Sequence, residues 1–297
     1  MKVAISGASG LIGRALSADL RRDGHDVVAL VRRKERSADE IRWDPAAREL
    51  DPAAFAEVDG VVHLAGAGIA DKRWTESRRR EILDSRVDGT TTIAQTLAAA
   101  PPRARFMVSA SAVGWYGDTG DRPVEESEPA GEGFLAEVCE RWEAAAQPAI
   151  DAGVRVAFAR SGLVLSRRGG LMGRLLPLFR LGLGAKLGSG RQYWPWITLT
   201  DEISALRFLI DSDLTGPVNL TGPAPVTNAE FTKTLGSVLG RPTLAAVPSF
   251  VLKLVVGEFA EEGILAGQRA MPRVLTEAGF KFTAPTLRDA LEEITAS

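Results

Sequence analysis

The sequence predicts a doubly wound α/β fold: a parallel sheet with helices on both faces, followed by a smaller C-terminal lobe. Three observations carry this. Short apolar runs alternate with helical periodicity up to about Ala159, a glycine-rich turn joins the first run to the first helix, and the alternation loosens after about Gly162.

Val3, Ala4 and Ile5 form an apolar run of the kind that fills buried parallel strands. Gly7 to Gly13 is the turn. Leu11, Ile12, Ala15, Leu16 and Leu20 recur at helical spacing, and Gly24 stops that helix. Val27 to Val31 is the second strand, and Val58 to Ala65 is a strand ending in the loop Gly66-Ala67-Gly68. Trp74 to Ala100 predicts a long helix stopped by Pro101 and Pro102. Phe106, Met107 and Val108 make a strand ending in Ser109-Ala110-Ser111, Phe134 to Ala149 a helix, and Val154 to Ala159 a further strand. Residues 166–192, rich in Gly, Arg and Leu, predict a loop and helix near a ligand. Asp201 to Asp211 is a helix and Pro217 to Leu220 a strand. Thr227 followed three residues later by Glu230 marks a helix start. From about Pro248 the chain predicts a small α-rich lobe, so the division falls at 1–165 and 166–297, with a strand returning near 216–221.

Of the 297 residues, 45% are hydrophobic and 25% charged, and the net charge is -2. That balance gives no global attraction to nucleic acid or to an anionic membrane, and no aromatic RNA-binding motif is present. The single cysteine, Cys139, excludes an intrachain disulfide, and with only His25 and His63 no metal site is expected. No run of about 18 apolar residues and no signal-peptide pattern is visible, so a cytoplasmic protein is expected.

Glycines at 7, 10 and 13 have the G-x-x-G-x-x-G spacing of a Rossmann-type turn. A tight turn from strand to helix needs residues without a Cβ, and a diphosphate must come close to backbone N–H groups at the helix N-terminus. The turn therefore predicts dinucleotide binding; a ligand-free glycine turn is the bland alternative. An acid that would read a ribose 2′-hydroxyl is missing where the second strand ends. Arg32, Arg33 and Lys34 stand there instead, which suits a 2′-phosphate and so NADP(H). A solvated basic loop is the competing reading.

The glycine turn, His63-Leu64-Ala65-Gly66, Arg86-Val87-Asp88-Gly89-Thr90 and Ser109 to Gly117 together resemble the extended short-chain dehydrogenase/reductases. Arg73-Trp74, Ser85-Arg86, Phe134-Leu135-Ala136, Trp142-Glu143, the stretch from Gly188 to Ile197, Thr227 to Phe231 and Gly267-Gln268-Arg269 are similar to one atypical subfamily of epimerase-like, NADP-dependent oxidoreductases with a small C-terminal domain. The resemblance covers essentially the whole chain. It implies that Gly7, Ser9, Gly10, Leu11, Ile12 and Gly13 line the diphosphate, and that Arg32 and Arg33 hold the 2′-phosphate. It further implies that Leu64, Ala65 and Gly66 border adenine and ribose, that Arg86 lies near the nicotinamide ribose, and that Arg160, Ser161 and Gly162 flank the nicotinamide.

Chemistry in this family uses a serine with a tyrosine and a lysine four residues apart on one helix face. Ser111 fits the serine, with turn capping as its structural alternative. The tyrosine–lysine pair is absent: neither Tyr116 nor Tyr193 has a lysine four residues on, and Leu135 and Cys139 take the comparable positions. Tyr116 is the candidate proton carrier, or else a packing aromatic. Lys72 and Arg73 are candidates for an anionic substrate or a solvated loop. Cys139 is expected to be an inert thiol, His63 a satisfied core residue, Glu143 a structural helix contact and Arg78-Arg79-Arg80 a solvated face. The stretch from Gln192 to Trp196 walls a pocket or anchors the second lobe. Asp201 is a helix N-terminal acid, and the apolar run from Phe250 to Val256 is expected in a lobe core rather than an interface.

Two functions remain open at this point. One is an NADP(H)-dependent oxidoreductase or epimerase-like enzyme, transferring hydride to or from a small carbonyl, hydroxyl or sugar-nucleotide substrate. The other is a non-catalytic NADP(H)-binding sensor or regulator. Neither involves nucleic acid or membrane, and the oligomeric state is not readable.

Overall fold

The computed structural model describes residues 1–100 and 106–296. Its main sheet has seven strands: β1 (Lys2–Ser6), β2 (Asp26–Val31), β3 (Glu40–Arg42), β4 (Gly60–His63), β5 (Phe106–Ala112), β6 (Arg155–Ser161) and β7 (Gly216–Leu220). They lie in the order β7-β6-β5-β4-β1-β2-β3, every neighbour parallel. The chain winds outward from β1 in one direction and, after β3, returns to β4 to wind in the other. The direction reverses between β1 and β4, and helices leaving those strands to opposite faces open a crevice at their carboxyl ends.

Ten α-helices are described: α1 (Leu11–Arg22), α2 (Glu76–Ala99), α3 (Phe134–Ala144), α4 (Gln147–Asp151), α5 (Gly170–Arg180), α6 (Leu199–Asp211), α7 (Asn228–Leu239), α8 (Ser249–Val256), α9 (Arg273–Glu277) and α10 (Leu287–Thr295). Alternation along the strands divides the core. Val3, Ile5, Val62, Val108 and Ala157 face Leu16 and Leu20 of α1 and Leu206 and Leu209 of α6. Ala4, Val61, Met107, Val156 and Phe158 face Ile93 and Leu97 of α2 and Ala149 of α4. Each such aliphatic side chain contributes about 1.5–3 kcal/mol by leaving water, and both sheet faces are covered as an all-parallel sheet requires. A third cluster joins α5, α7 and α10 around Trp194, Trp196 and Phe231.

Several differences from the sequence reading have physical causes. The helix expected over 134–149 is two helices, because Pro148 sits in the first turn of α4, where a missing N–H is harmless. β3 is three mostly polar residues at the sheet edge and carries no apolar signal. Both β7 and α6 follow residue 165 yet complete the sheet layer; the return near 216–221 was expected, the covering helix was not. Phe250, Leu254 and Val255 are 71%, 73% and 67% exposed, so α8 is not in a lobe core. Pro101 and Pro102 lie outside the described residues. Among the described residues no helix is long and apolar enough to cross a membrane, and no group of three His, Cys, Asp or Glu side chains is placed to hold a metal ion.

Candidate functional site

The crevice at the reversal point is built from the first turn of α1 upward. Gly7 has φ +70°, and a Cβ there would stand 2.9 Å from the Leu64 carbonyl carbon. A Cβ on Gly13 would stand 2.2 Å from the Gly7 oxygen, so helix and turn touch backbone to backbone. The N-cap residue Gly10 has no side chain to satisfy the first amides of α1. Those N–H groups and the positive end of the helix are left for an anion. Gly7, Gly10, Leu11, Ile12 and Gly13 line a cleft of about 200 Å³ with Leu64, Ala110, Ala159, Ser161, Glu202 and Leu206. Ser9 is exposed on the rim of the same turn.

The floor at β4 is held by a buried relay. The Ser6 hydroxyl accepts from the Leu64 and Ala65 amides at 3.1 and 3.2 Å and lies 2.6 Å from His63 Nδ1. With its lone pairs so used, Ser6 donates to Nδ1, and the imidazole proton sits on Nε2. Nε2 has no hydrogen-bond partner among the described residues, so His63 is half satisfied rather than fully satisfied. Burial first, and the Arg86 cation second, push its pKa down to about 3, keeping the ring neutral.

Arg86 reaches from α2 over the same floor. Its Nη1 donates to the Ala67 and Ile82 carbonyls at 3.0 Å each, and its guanidinium lies 4.9 Å from the Trp142 ring centre and against Gly66. Burial lowers its pKa, and no carboxylate pairs with it among the described residues. A half-buried cation without a counter-ion among the described residues is a place for an anionic group. Arg78, read as part of a solvated run, is in fact 7% exposed and donates to the Gly68 carbonyl, fixing this loop. Helical spacing places one member of any three-residue run inward, and here it is Arg78.

At the tip of β2 the two arginines part company. Arg33 forms a two-pronged pair with Glu40 of β3 at 2.5 and 2.7 Å, which holds the Glu40 carboxyl down to about 2. Arg32 is exposed and makes no ion pair among the described residues. Arg32 therefore keeps its guanidinium open to solvent, while that of Arg33 is held by Glu40. The partner of Arg33 sits on the strand that carried no apolar signal.

The serine and tyrosine candidates lie in a separate buried network. β5 and β6 pair Ser111 beside Arg160, so both point to the α3 face. The Ser111 hydroxyl donates to Glu143 Oε1 at 2.6 Å. Arg160 grips Glu143 with Nε and Nη2 at 2.8 and 2.9 Å and lies 3.8 Å from the Trp115 ring centre. The Tyr116 hydroxyl donates to Asn219 Oδ1 at 2.8 Å and accepts from Arg160 Nη1 at 3.2 Å. Burial pushes the Tyr116 pKa up to about 12. A phenol so engaged does not exchange protons near neutrality. Arg160, expected beside the nicotinamide, is 2% exposed and turned away from the cleft, because its strand neighbours Ala159 and Ser161 take the cleft side. Gly162 follows at the strand end, where a Cβ would stand 2.2 Å from the Pro195 oxygen.

Glu143 thus joins two strands to a helix, beyond the helix contact expected of it. The signal lay in its position four residues after Cys139, on the face of α3 that meets β5. Cys139 is buried, and burial followed by the Glu143 charge pushes its thiol up to about 12, an inert state. Lys72 is exposed, and Arg73 donates to the Leu254 carbonyl of α8 at 3.3 Å. Trp194 and Trp196 anchor the second lobe; Trp194 meets Phe231 at 5.1 Å. Asp201 accepts from Thr283 and Ala284, holding the C-terminal segment to α6. A larger depression of about 430 Å³ lies between the starts of α2 and α3, but its Arg79 and Glu258 already pair at 3.1 Å and no glycine turn opens onto it.

Residues 3–220 match the NAD dependent epimerase/dehydratase family, and residues 247–294 match a domain of unknown function. An epimerase family protein of Mycobacterium tuberculosis is 50% identical over 290 residues, 97% of this chain and 96% of its own. The Homo sapiens epimerase family protein SDR39U1 is 36% identical over 300 residues, covering 100% of both chains. A crystal structure of human SDR39U1 with NADPH superposes with a TM-score of 0.89 at 34% identity, covering 99% of each chain. UDP-glucose 4-epimerase of Thermus thermophilus with NAD shares the fold at 18% identity and a TM-score of 0.77, covering 100% of each chain.

Proposed function

Because the chain belongs to the NAD dependent epimerase/dehydratase family, we propose that it is an NADP(H)-dependent oxidoreductase or epimerase-like enzyme acting on a small carbonyl, hydroxyl or sugar-nucleotide substrate. The observation that carries this is the uncapped N-terminus of α1 beneath a turn whose Gly7 and Gly13 leave no room for a Cβ. The residues fit the group. Gly7, Ser9, Gly10, Leu11, Ile12 and Gly13 would hold the diphosphate, Arg32 the 2′-phosphate, Leu64, Ala65 and Gly66 the adenine and ribose, and Arg86 the nicotinamide ribose. Ser161 and Gly162 would flank the nicotinamide. When bound, the nicotinamide supplies hydride transfer. The chain's own part is to bind and orient: Ser6 fixes the Leu64 and Ala65 amides, and Leu206, Ala110 and Ala159 exclude water from the inner wall.

A second reading, a non-catalytic NADP(H)-binding sensor or regulator, is favoured by one observation: the Ser111 and Tyr116 hydroxyls are both spent inside the protein. NADPH and NADH titrations followed by NADPH turnover against carbonyl and nucleotide-sugar panels separate the readings. Tight NADPH binding with turnover supports the enzyme, and tight binding without turnover the sensor. Absence of NADPH affinity, or a strong preference for NADH, refutes both.

A further inference from the structure

Glu202 stands in the first turns of α6, is 1% exposed, and lines the same cleft as the glycine turn. Its Oε1 accepts the Ser161 hydroxyl at 2.6 Å, while its Oε2 has no hydrogen-bond partner among the described residues. Among the described residues the lining of that cleft offers no counter-charge. The cleft is lined by Leu11, Ile12 and Gly13 of α1, Ala110 of β5, Ala159 and Ser161 of β6, and Leu206 of α6. Arg160, next to Ser161, points through to the opposite face and is spent on Glu143, and Asp201 turns to Thr283 and Ala284.

A buried carboxylate with an idle oxygen and no cation is unfavourable, and a diphosphate brought alongside makes the anion worse. A carboxylic acid in the same place is favourable, because its O–H becomes a donor to a phosphate oxygen. We propose that Glu202 is a proton-carrying member of the dinucleotide site, bound as the acid with Oε2–H donating into the diphosphate side of the cleft. This rests on the reading of the cleft as a dinucleotide site and adds a residue and a proton to it. Burial pushes the free carboxyl up to about 7, so ligand and protein exchange a proton with solvent at physiological pH. The balance is simple: above that value ionised Glu202, one proton and one dinucleotide give one complex, with no covalent bond made or broken. Affinity therefore falls as pH rises, approaching tenfold per pH unit.

The test is calorimetric titration with NADH between pH 6 and 9, in two buffers of different ionisation enthalpy. NADH is the probe because a 2′-phosphate gains its second charge near pH 6 and opposes the trend. The wild-type protein is expected to lose affinity above pH 7 and to take up as much as one proton per NADH. Glu202→Gln is expected to match wild type at pH 6, stay flat to pH 9 and take up none. A flat wild-type profile without proton uptake, or an unchanged slope in Glu202→Gln, overturns the inference while leaving the dinucleotide site intact. No NADH or NADPH binding at any pH overturns both. The wild-type proton count needs no variant, so a folding defect in Glu202→Gln does not obscure the result.

Discussion

Replacing Glu143 by Ala tests whether the network on the α3 face is the structural joint described above. Arg160 is 2% exposed, and its charge is answered by Glu143 through two contacts at 2.8 and 2.9 Å. Glu143→Ala leaves that guanidinium buried and unanswered and takes the acceptor from Ser111. Breaking one side of a buried pair costs about 3–5 kcal/mol. Unfolding entropy near 2.1 cal/mol/K per residue gives the 297-residue chain about 0.6 kcal/mol/K. The melting midpoint should therefore fall by about 5–8 °C in calorimetry or circular dichroism. The double variant Glu143→Leu with Arg160→Met should recover much of that loss, since an apolar pair of similar volume replaces a buried ion pair at little cost. A midpoint shift below about 1 °C for the single variant, or a double variant less stable than the single, would refute the reasoning.

Four further outcomes follow from the geometry. Arg32→Ala should weaken NADPH binding by about tenfold to a hundredfold, the loss of one charge-assisted contact, and leave NADH unchanged in parallel titrations. Gly13→Val places a Cβ 2.2 Å from the Gly7 oxygen, so fluorescence titration should show NADPH affinity reduced by at least about tenfold. Tyr116→Phe strands Asn219 Oδ1 and one Arg160 N–H; denaturant melts should show about 1–3 kcal/mol lost. The Glu202 carboxyl rises from 4.5 to about 7 on folding, so between those values the native state holds a proton that the unfolded chain has released. Its contribution to stability is present below 4.5 and lost as pH climbs through 7. Glu202→Gln should thus gain on wild type across that window, by at most about 1.4 kcal/mol per pH unit in pH-resolved melts.

The sheet was legible because buried parallel strands are written as apolar runs and the first helix as a periodic stripe; Val3 to Ile5 and Leu11 to Leu20 carry both signals. The glycine turn was legible because Gly7 and Gly13 are demanded by close backbone approach, a purely local constraint. What stayed hidden depends on residues distant in sequence. Nothing around Arg33 reveals that Glu40 will return alongside it on a polar edge strand. Nothing local to Arg160 tells which sheet face it takes; that follows from its register with Ser111. Glu202 drew no reading beside the helix-start acid Asp201, and only the packing of α6 over β6 puts it in the cleft. The apolar run of α8 misled because hydrophobic content signals burial only when something covers it.

Asp201 and Glu202 are consecutive on one turn of α6, yet their carboxylates serve different partners. The first is tied to Thr283 and Ala284, so the C-terminal segment is moored to the very turn that presents the second to the glycine-lined crevice. Shortening the tail past Thr283 would strip Asp201 of three donors and loosen the segment that positions its neighbour. The terminal segment is thus a brace for the turn of α6 that borders the glycine-lined crevice.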